Sequence, residues 1–142
     1  MGTRSVGQGD VIAFVATSSP EAARAFYGGV LGLAFWADEP DAIVFHSGPT
    51  MIRVSKVPPF APAPFTVLGW KVRDILHEVK SLAARGVRFE RFPGFTQDPH
   101  GIATFPDGTQ VAWFKDPDGN MLSLTEFPTG REMGRRVEES SR

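Results

Sequence analysis

Apolar and polar positions alternate with a period of two through much of this chain, and twice the pattern switches to helical spacing. Val11 to Thr17 is β-branched and aromatic, which predicts a strand. Ser18 and Ser19 offer N-caps, Pro20 suits the first helical position, and Ser18 with Glu21 fits a capping box. Ala23, Phe26, Tyr27, Val30 and Leu31 then fall on one helical face. Gly28 and Gly29 weaken that helix after Tyr27, and Gly32 stops it. Leu33–Trp36, Ala42–His46 and Met51–Val57 predict three further strands, with Ser47-Gly48-Pro49-Thr50 turning between the last two.

The same order returns after the segment Pro58-Pro59-Phe60-Ala61-Pro62-Ala63-Pro64, whose prolines favour a stiff extended connector. Phe65–Val72 predicts a strand, and Asp74 caps a helix with a stripe of Ile75, Val79, Leu82 and Ala83 that ends at Gly86. Val87–Arg91 predicts the next strand, since Gly86-Val87-Arg88-Phe89 matches Gly32-Leu33-Ala34-Phe35. Phe45 through Val57 likewise matches Phe114 through Phe127, which sets Met51, Arg53 and Ser55 opposite Met121, Ser123 and Thr125. A hairpin of Ile102–Phe105 and Gln110–Phe114, turning at Pro106-Asp107-Gly108, stands as an insertion in the second half. The expected fold class is α+β: tandem β-α-β-β-β modules, each sheet carrying a helix on one face and leaving the other free to curve around a cavity. Residues 1–9 and 128–142 are expected to be a disordered tail and a charged tail. A single domain spans 10–127, with module one at 10–57, a connector at 58–64 and module two at 65–127.

Composition narrows the chemistry. Lys plus Arg number 15 against 16 Asp plus Glu, a net charge of −1, which disfavours a nucleic-acid partner. The absence of cysteine removes disulfide scaffolds, thiolate metal sites and cysteine nucleophiles. The longest apolar run, Val11 to Ala16, is far too short for a membrane span, and residues 1–9 do not form a signal peptide. A cytoplasmic protein without membrane partners is the expectation.

Phe26-Tyr27 with Val30-Leu31-Gly32-Leu33, then Leu68-Gly69-Trp70-Lys71-Val72, then Phe114-Lys115-Asp116-Pro117-Asp118-Gly119-Asn120, resemble the vicinal oxygen chelate superfamily. That group includes glyoxalases, bleomycin-resistance proteins and extradiol dioxygenases. The resemblance covers about residues 11 to 127 and implies the glyoxalase/bleomycin-resistance-like fold, a small-molecule site and frequent homodimers. It does not imply one chemistry. Asp116 to Asn120 supply turn geometry by themselves. Metal-dependent members hold their ion with His, Gln or Glu on the first and last strands of both modules. Carried over, those places are Ile12, Val67, Arg53 and Ser123, none of them a competent ligand.

Two functions are therefore weighed. One is a cavity that binds a small organic molecule, with no metal and no other cofactor. Putting Ile52, Val54, Leu122 and Leu124 under the helices turns Met51, Arg53, Ser55, Met121, Ser123 and Thr125 inward, with Phe14 and Lys71 beside them. Trp113 and His100 complete the expected binding set, and Arg53 and Lys71 favour an anionic or aromatic ligand over a cationic one. Arg53 has a second reading, as half of an ion pair with Glu126, Asp98 or another neighbour. The other function is a metal-dependent lyase or oxidoreductase of the glyoxalase or dioxygenase type using His46, His100 or Glu126, with Asp98 a further acid or base. His77, on the polar face of the second helix, is expected at the surface. Gln97-Asp98-Pro99-His100-Gly101, beside Phe92 and Phe95, fits either a site loop or a structural turn. Sheet edges and surplus aromatics such as Trp36, Phe60 and Trp113 favour a homodimer.

Overall fold

The computed structural model describes residues 5–129, so most of the expected charged tail at 128–142 and the first four residues of the expected N-terminal tail lie outside the described residues. The chain divides into two compact units. Among the described residues, one takes in the chain up to Pro62 together with Asp116–Asn120, and the other takes in Ala63–Lys115 and residues 121–129.

In the first unit, β1 (Ile12–Thr17) is followed by α1 (Pro20–Arg24), β2 (Ala34–Asp38), β3 (Ala42–Ser47) and β4 (Thr50–Lys56). The strand order is β1-β4-β3-β2; β1 runs parallel to β4 and the other pairs are antiparallel. A parallel pair needs a crossover, and the helix supplies it. The expected alternation holds: Val15, Phe45, Ile52 and Val54 are buried together with Ala23 and Tyr27 of the helical segment. Weakening by Gly28 and Gly29 takes a definite form, a π-helical turn over Ala25–Val30, and Gly32 ends it at φ +75°. The Ser18–Glu21 capping box does not form. Ser19 is the N-cap without a side-chain bond, because Ser18 donates its N–H and its Oγ–H to Asp118 Oδ1 at 2.8 and 3.1 Å.

Asp118 belongs to the loop Asp116–Asn120, where one carboxylate gathers most of the bonds. Asp116 Oδ1 accepts the N–H groups of Asp118 and Asn120, both at 2.9 Å. Asp116 Oδ2 accepts the Tyr27 hydroxyl at 2.6 Å and Asn120 Nδ2 at 2.9 Å. Asn120 Nδ2 also donates to the Ala16 carbonyl, and the Thr17 hydroxyl to Asp118. Gly119 sits at φ +89°, in the region that favours glycine. The turn residues seen in the sequence thus hold β1 and the helical segment within one network.

In the second unit, β5 (Thr66–Lys71), α2 (Ile75–Ala84), β6 (Ala103–Thr104), β7 (Gln110–Lys115) and β8 (Met121–Glu126) repeat the order as β5-β8-β7-β6. Leu122 and Leu124 are buried on the face of α2, whose own Ile75, Val79 and Leu82 are buried. Asp74 caps α2 as expected, accepting the His77 N–H at 3.1 Å, and His77 is exposed. The strand expected at Val87–Arg91 is absent. An isolated bridge, Phe89 to Phe114, the Glu90 N–H to the Trp113 carbonyl at 2.8 Å, and an edge contact of the Phe89 and Phe114 rings at 5.6 Å tie this stretch to β7 in place of a ladder. The chain leaves the sheet edge at Arg91 and returns to it at Ala103, so that edge is shared between two short pieces. Hence β6 takes the place that β2 holds in the first sheet, and what is inserted is the excursion from 91 to 102, where Pro93 and Pro99 forbid a continuous ladder.

Candidate functional site

The excursion covers the face of the second sheet that points away from α2. On that face Trp113 of β7 stands opposite Ser123 of β8, and Met121 stands opposite Thr66 of β5. Phe92 and Phe95 descend onto Trp113, with ring centroids at 5.3 and 5.1 Å and interplanar angles of 89° and 41°. Phe105 backs Phe95 at 5.8 Å. Together with Pro64, Phe65, Thr66 and Met121 these rings line a cavity of about 300 Å³. Its walls present aromatic faces and edges, a thioether and one hydroxyl, and no lining residue is charged.

Local hydrogen bonds hold the excursion in place. Gln97 Oε1 accepts the Phe92 N–H at 2.8 Å, while its Nε2 donates to the carbonyls of Glu90 and Gly101 at 2.9 and 2.7 Å. Asp98 Oδ1 accepts the N–H groups of His100 and Ile102 at 2.8 and 2.9 Å. Arg91 Nη2 donates to the carbonyls of Asp98 and Pro99 at 2.7 and 2.9 Å. Gly101 has φ +93°, and a Cβ there would stand 3.1 Å from Phe89 Cβ. Both polar atoms of the Gln97 side chain and Oδ1 of Asp98 are therefore engaged in fixing the turn.

The expected binding residues fall in several places. Trp113 and Met121 line the cavity. Ser123 lies on the same face but is buried, its Oγ lying 2.6 Å from where a Cβ on Gly69 would stand, so its hydroxyl fills the space that Gly69 leaves. Thr125 and exposed Lys71 pair farther along the strands. His100 lines a separate hollow with α2. Phe14, Met51, Arg53 and Ser55 belong to the first sheet, where Phe14 is 63% exposed. Arg53 Nη2 meets Glu39 Oε1 at 2.9 Å and Asp41 Oδ1 at 3.6 Å, so its charge is matched by the β2–β3 turn and not by Glu126 or Asp98. Phe65, which shares the parity of Lys71 in the expected strand, also lines the cavity, as do Phe92 and Phe95, which strand alternation could not assign. The spacing of Phe92 and Phe95 within a proline-bearing segment is their only sequence signal.

The acid–base candidates have structural occupations. Glu126 Oε1 accepts the Ile75 N–H at 2.9 Å and so caps α2. His46 stacks on Trp36, with centroids 4.8 Å and planes 10° apart, and its buried Nε2 has no hydrogen-bond partner. A β-bulge between Phe35 and Ala37 makes Trp36 the extra residue. Burial, and then the adjacent Asp116 carboxylate, push the Tyr27 phenol far above its ordinary pKa, so it remains a hydrogen-bond donor. Exposed Asp38 is held below the usual carboxylate range by its hydrogen bond from Lys56 Nζ at 2.7 Å.

The donor set at the family's metal positions does not fit a divalent cation. Ile12 and Val67 are aliphatic, Arg53 is an ion-paired cation, and Ser123 offers a buried hydroxyl. Among the described residues no three His, Asp or Glu side chains gather closely enough to hold a metal ion.

Residues 10–124 match the model of the Glyoxalase/Bleomycin resistance protein/Dioxygenase superfamily. A comparison with curated proteins gives no match. Among solved structures, a member of that superfamily from Sphaerobacter thermophilus is 25% identical, with a TM-score of 0.62 over 82% of this chain and 95% of that one. An antibiotic binding protein from Streptomyces sp. CB03234 is 22% identical, with a TM-score of 0.68 over 88% of this chain and 100% of that one. A lactoylglutathione lyase from Agrobacterium tumefaciens is 18% identical, with a TM-score of 0.65 over 84% and 93%. With the family model spanning both units and this likeness in fold, the chain belongs to the glyoxalase/bleomycin resistance protein/dioxygenase superfamily.

Proposed function

We propose that this protein binds a small aromatic molecule in the Trp113 cavity and does so without a metal. The observation that carries the reading is the lining itself: Phe65, Phe92, Phe95 and Trp113 surround about 300 Å³ with no charged group among them. Such a cavity has the lower end of the size that small-ligand sites span, and its rings offer stacking and edge contacts worth about 0.5–1.5 kcal/mol each beyond buried area. Aromatic character thus outweighs anionic character in the ligand, since Arg53 is already paired with Glu39. The donor set at the metal positions supports binding over metal-dependent turnover, and the likeness in fold to an antibiotic binding protein supports a small-molecule binding role. The reading is tested by quenching of intrinsic tryptophan fluorescence across a panel of planar aromatic compounds in the presence of chelator. Saturable quenching by part of the panel supports it. Quenching that requires an added divalent metal would transfer support to the lyase or oxidoreductase reading.

The same proposal includes a homodimer. Strand β1 lies at an edge of its sheet and carries exposed Ile12 and Phe14, with Val11 just before it. An apolar edge strand invites pairing with another chain. Light scattering at micromolar concentration should give twice the 15.5 kDa chain mass; a monomer would reject the pairing. No helix among the described residues is long and apolar enough to cross a membrane.

A further inference from the structure

A second hollow lies on the opposite side of the second unit, where α2 meets the 91–102 excursion. Val79 and Ala83 of α2, with Val87 and Phe89, form its apolar wall, and Arg91, Pro99, His100 and Gly101 form its rim. It holds about 230 Å³ and shares no residue with the Trp113 cavity.

On the rim a cation is held by neutral acceptors. The Arg91 guanidinium is fixed by two carbonyl acceptors at 2.7 and 2.9 Å, and both bonds use Nη2. A guanidinium carries five N–H donors, so the Nε and Nη1 donors are left over. Among the described residues they meet no acceptor, and no carboxylate lies within ion-pair distance of Arg91. Glu90, its neighbour in sequence, lies 3.9 Å from Lys115 Nζ, and Asp98 directs Oδ1 to the N–H groups of His100 and Ile102. Arg53 and Lys56, by contrast, each have carboxylate partners. The His100 imidazole, on the same rim, makes no hydrogen bond to the described residues. A cation already immobilised by neutral carbonyls loses little conformational entropy on meeting an anion, which is the advantage of preorganisation.

We propose that this hollow is a binding site for a small monocarboxylate with an apolar body. One carboxylate oxygen meets Arg91 Nη1 or Nε, His100 offers a second polar contact, and the hydrocarbon lies against Val79, Ala83, Val87 and Phe89. With both Nη2 protons engaged, the guanidinium cannot offer a two-pronged fork, so a single carboxylate suits it better than a larger polyanion. The volume limits the ligand to fragment size.

The test uses hexanoate as probe and hexanamide as its uncharged control, followed by amide chemical shifts of the full chain. Hexanoate should shift Val79, Ala83, Val87 and Gly101 saturably, with a dissociation constant of about a millimolar. Hexanamide should not. Arg91→Gln should weaken hexanoate about tenfold or more. Because Arg91 also braces the excursion, Ala83→Phe serves as a second variant: it fills the hollow, leaves Arg91 in place, and should abolish the shifts. Neither the aromatic-ligand affinity nor the melting temperature should change with Ala83→Phe, which separates this site from the Trp113 cavity. Equal shifts with hexanamide, shifts centred on Trp113, or undiminished binding in both variants would overturn the proposal.

Discussion

Replacing Asp116 by alanine removes the acceptor of four hydrogen bonds at once. Three of them are buried: the Tyr27 hydroxyl at 2.6 Å, the Asn120 N–H at 2.9 Å and Asn120 Nδ2 at 2.9 Å. Asn120 Nδ2 retains the Ala16 carbonyl, so two donors are left without a buried partner. The Asp118 N–H is only part-buried and water can reach it. An unsatisfied buried donor costs about 1–3 kcal/mol, which gives about 2–6 kcal/mol for the pair. A domain of this size has about 5–15 kcal/mol in total, so the variant should be severely weakened. Tyr27→Phe removes one donor and leaves Asp116 with its other three bonds, so it should cost only about 1–2 kcal/mol. Urea unfolding followed by far-ultraviolet circular dichroism measures both, and coincidence with tryptophan fluorescence checks that the transition is two-state. A loss below about 1 kcal/mol for Asp116→Ala would be incompatible with two stranded buried donors. It would mean that water replaces the carboxylate at Tyr27, which is 0% exposed.

Tyr27 is the only tyrosine, so absorbance of the phenolate reports on it alone. Its pKa is raised on folding, so the unfolded chain releases this proton more readily; the stabilisation is complete below pH 10.0, the ordinary value, and is lost above it. Phenolate should therefore appear only together with unfolding, and a reversible titration near the ordinary value in folded protein would contradict the burial. Arg53→Ala should cost about 1 kcal/mol, because Arg53 and Glu39 side chains remain 22% and 41% exposed and solvent screens the pair; thermal melting with and without aromatic ligand should show the same loss in both. Gly69→Ala should destabilise by about 1–3 kcal/mol through the 2.6 Å approach to Ser123 Oγ, and Ser123→Ala should recover part of that in the double variant's melting temperature.

What could be read from the sequence is what periodicity encodes. Ile52, Val54, Leu122 and Leu124 alternate with polar or long side chains because only one face of each strand lies beneath a helix, and a slip of one residue would expose all four. Asp74 was visible as a cap because its partner, His77, is three residues away. The departures involve partners that local pattern does not contain. Ser18 has the composition of a capping box, but a carboxylate 100 positions later takes its donors. Glu126 has the chemistry of an acid or base; folding places it at the N-terminus of α2, where the Ile75 N–H has no partner within the helix and needs an acceptor. Val87 to Arg91 has strand composition, yet the chain quits the edge after one bridge. The Trp113 cavity follows from that departure, since two of its rings, Phe92 and Phe95, come from the irregular excursion, which has no period to reveal which side chains converge.

A metal-independent aromatic site at Trp113 can be measured by calorimetric titration of 2-naphthol into chelator-treated protein and its Trp113→Ala variant. Binding to the wild-type chain should be one-to-one and unchanged by chelator, and binding to the variant at least about tenfold weaker, since deleting one ring contact and its apolar area removes more than about 1.4 kcal/mol. Equal affinity in the two proteins, or binding that appears only when a divalent metal is restored, would contradict it.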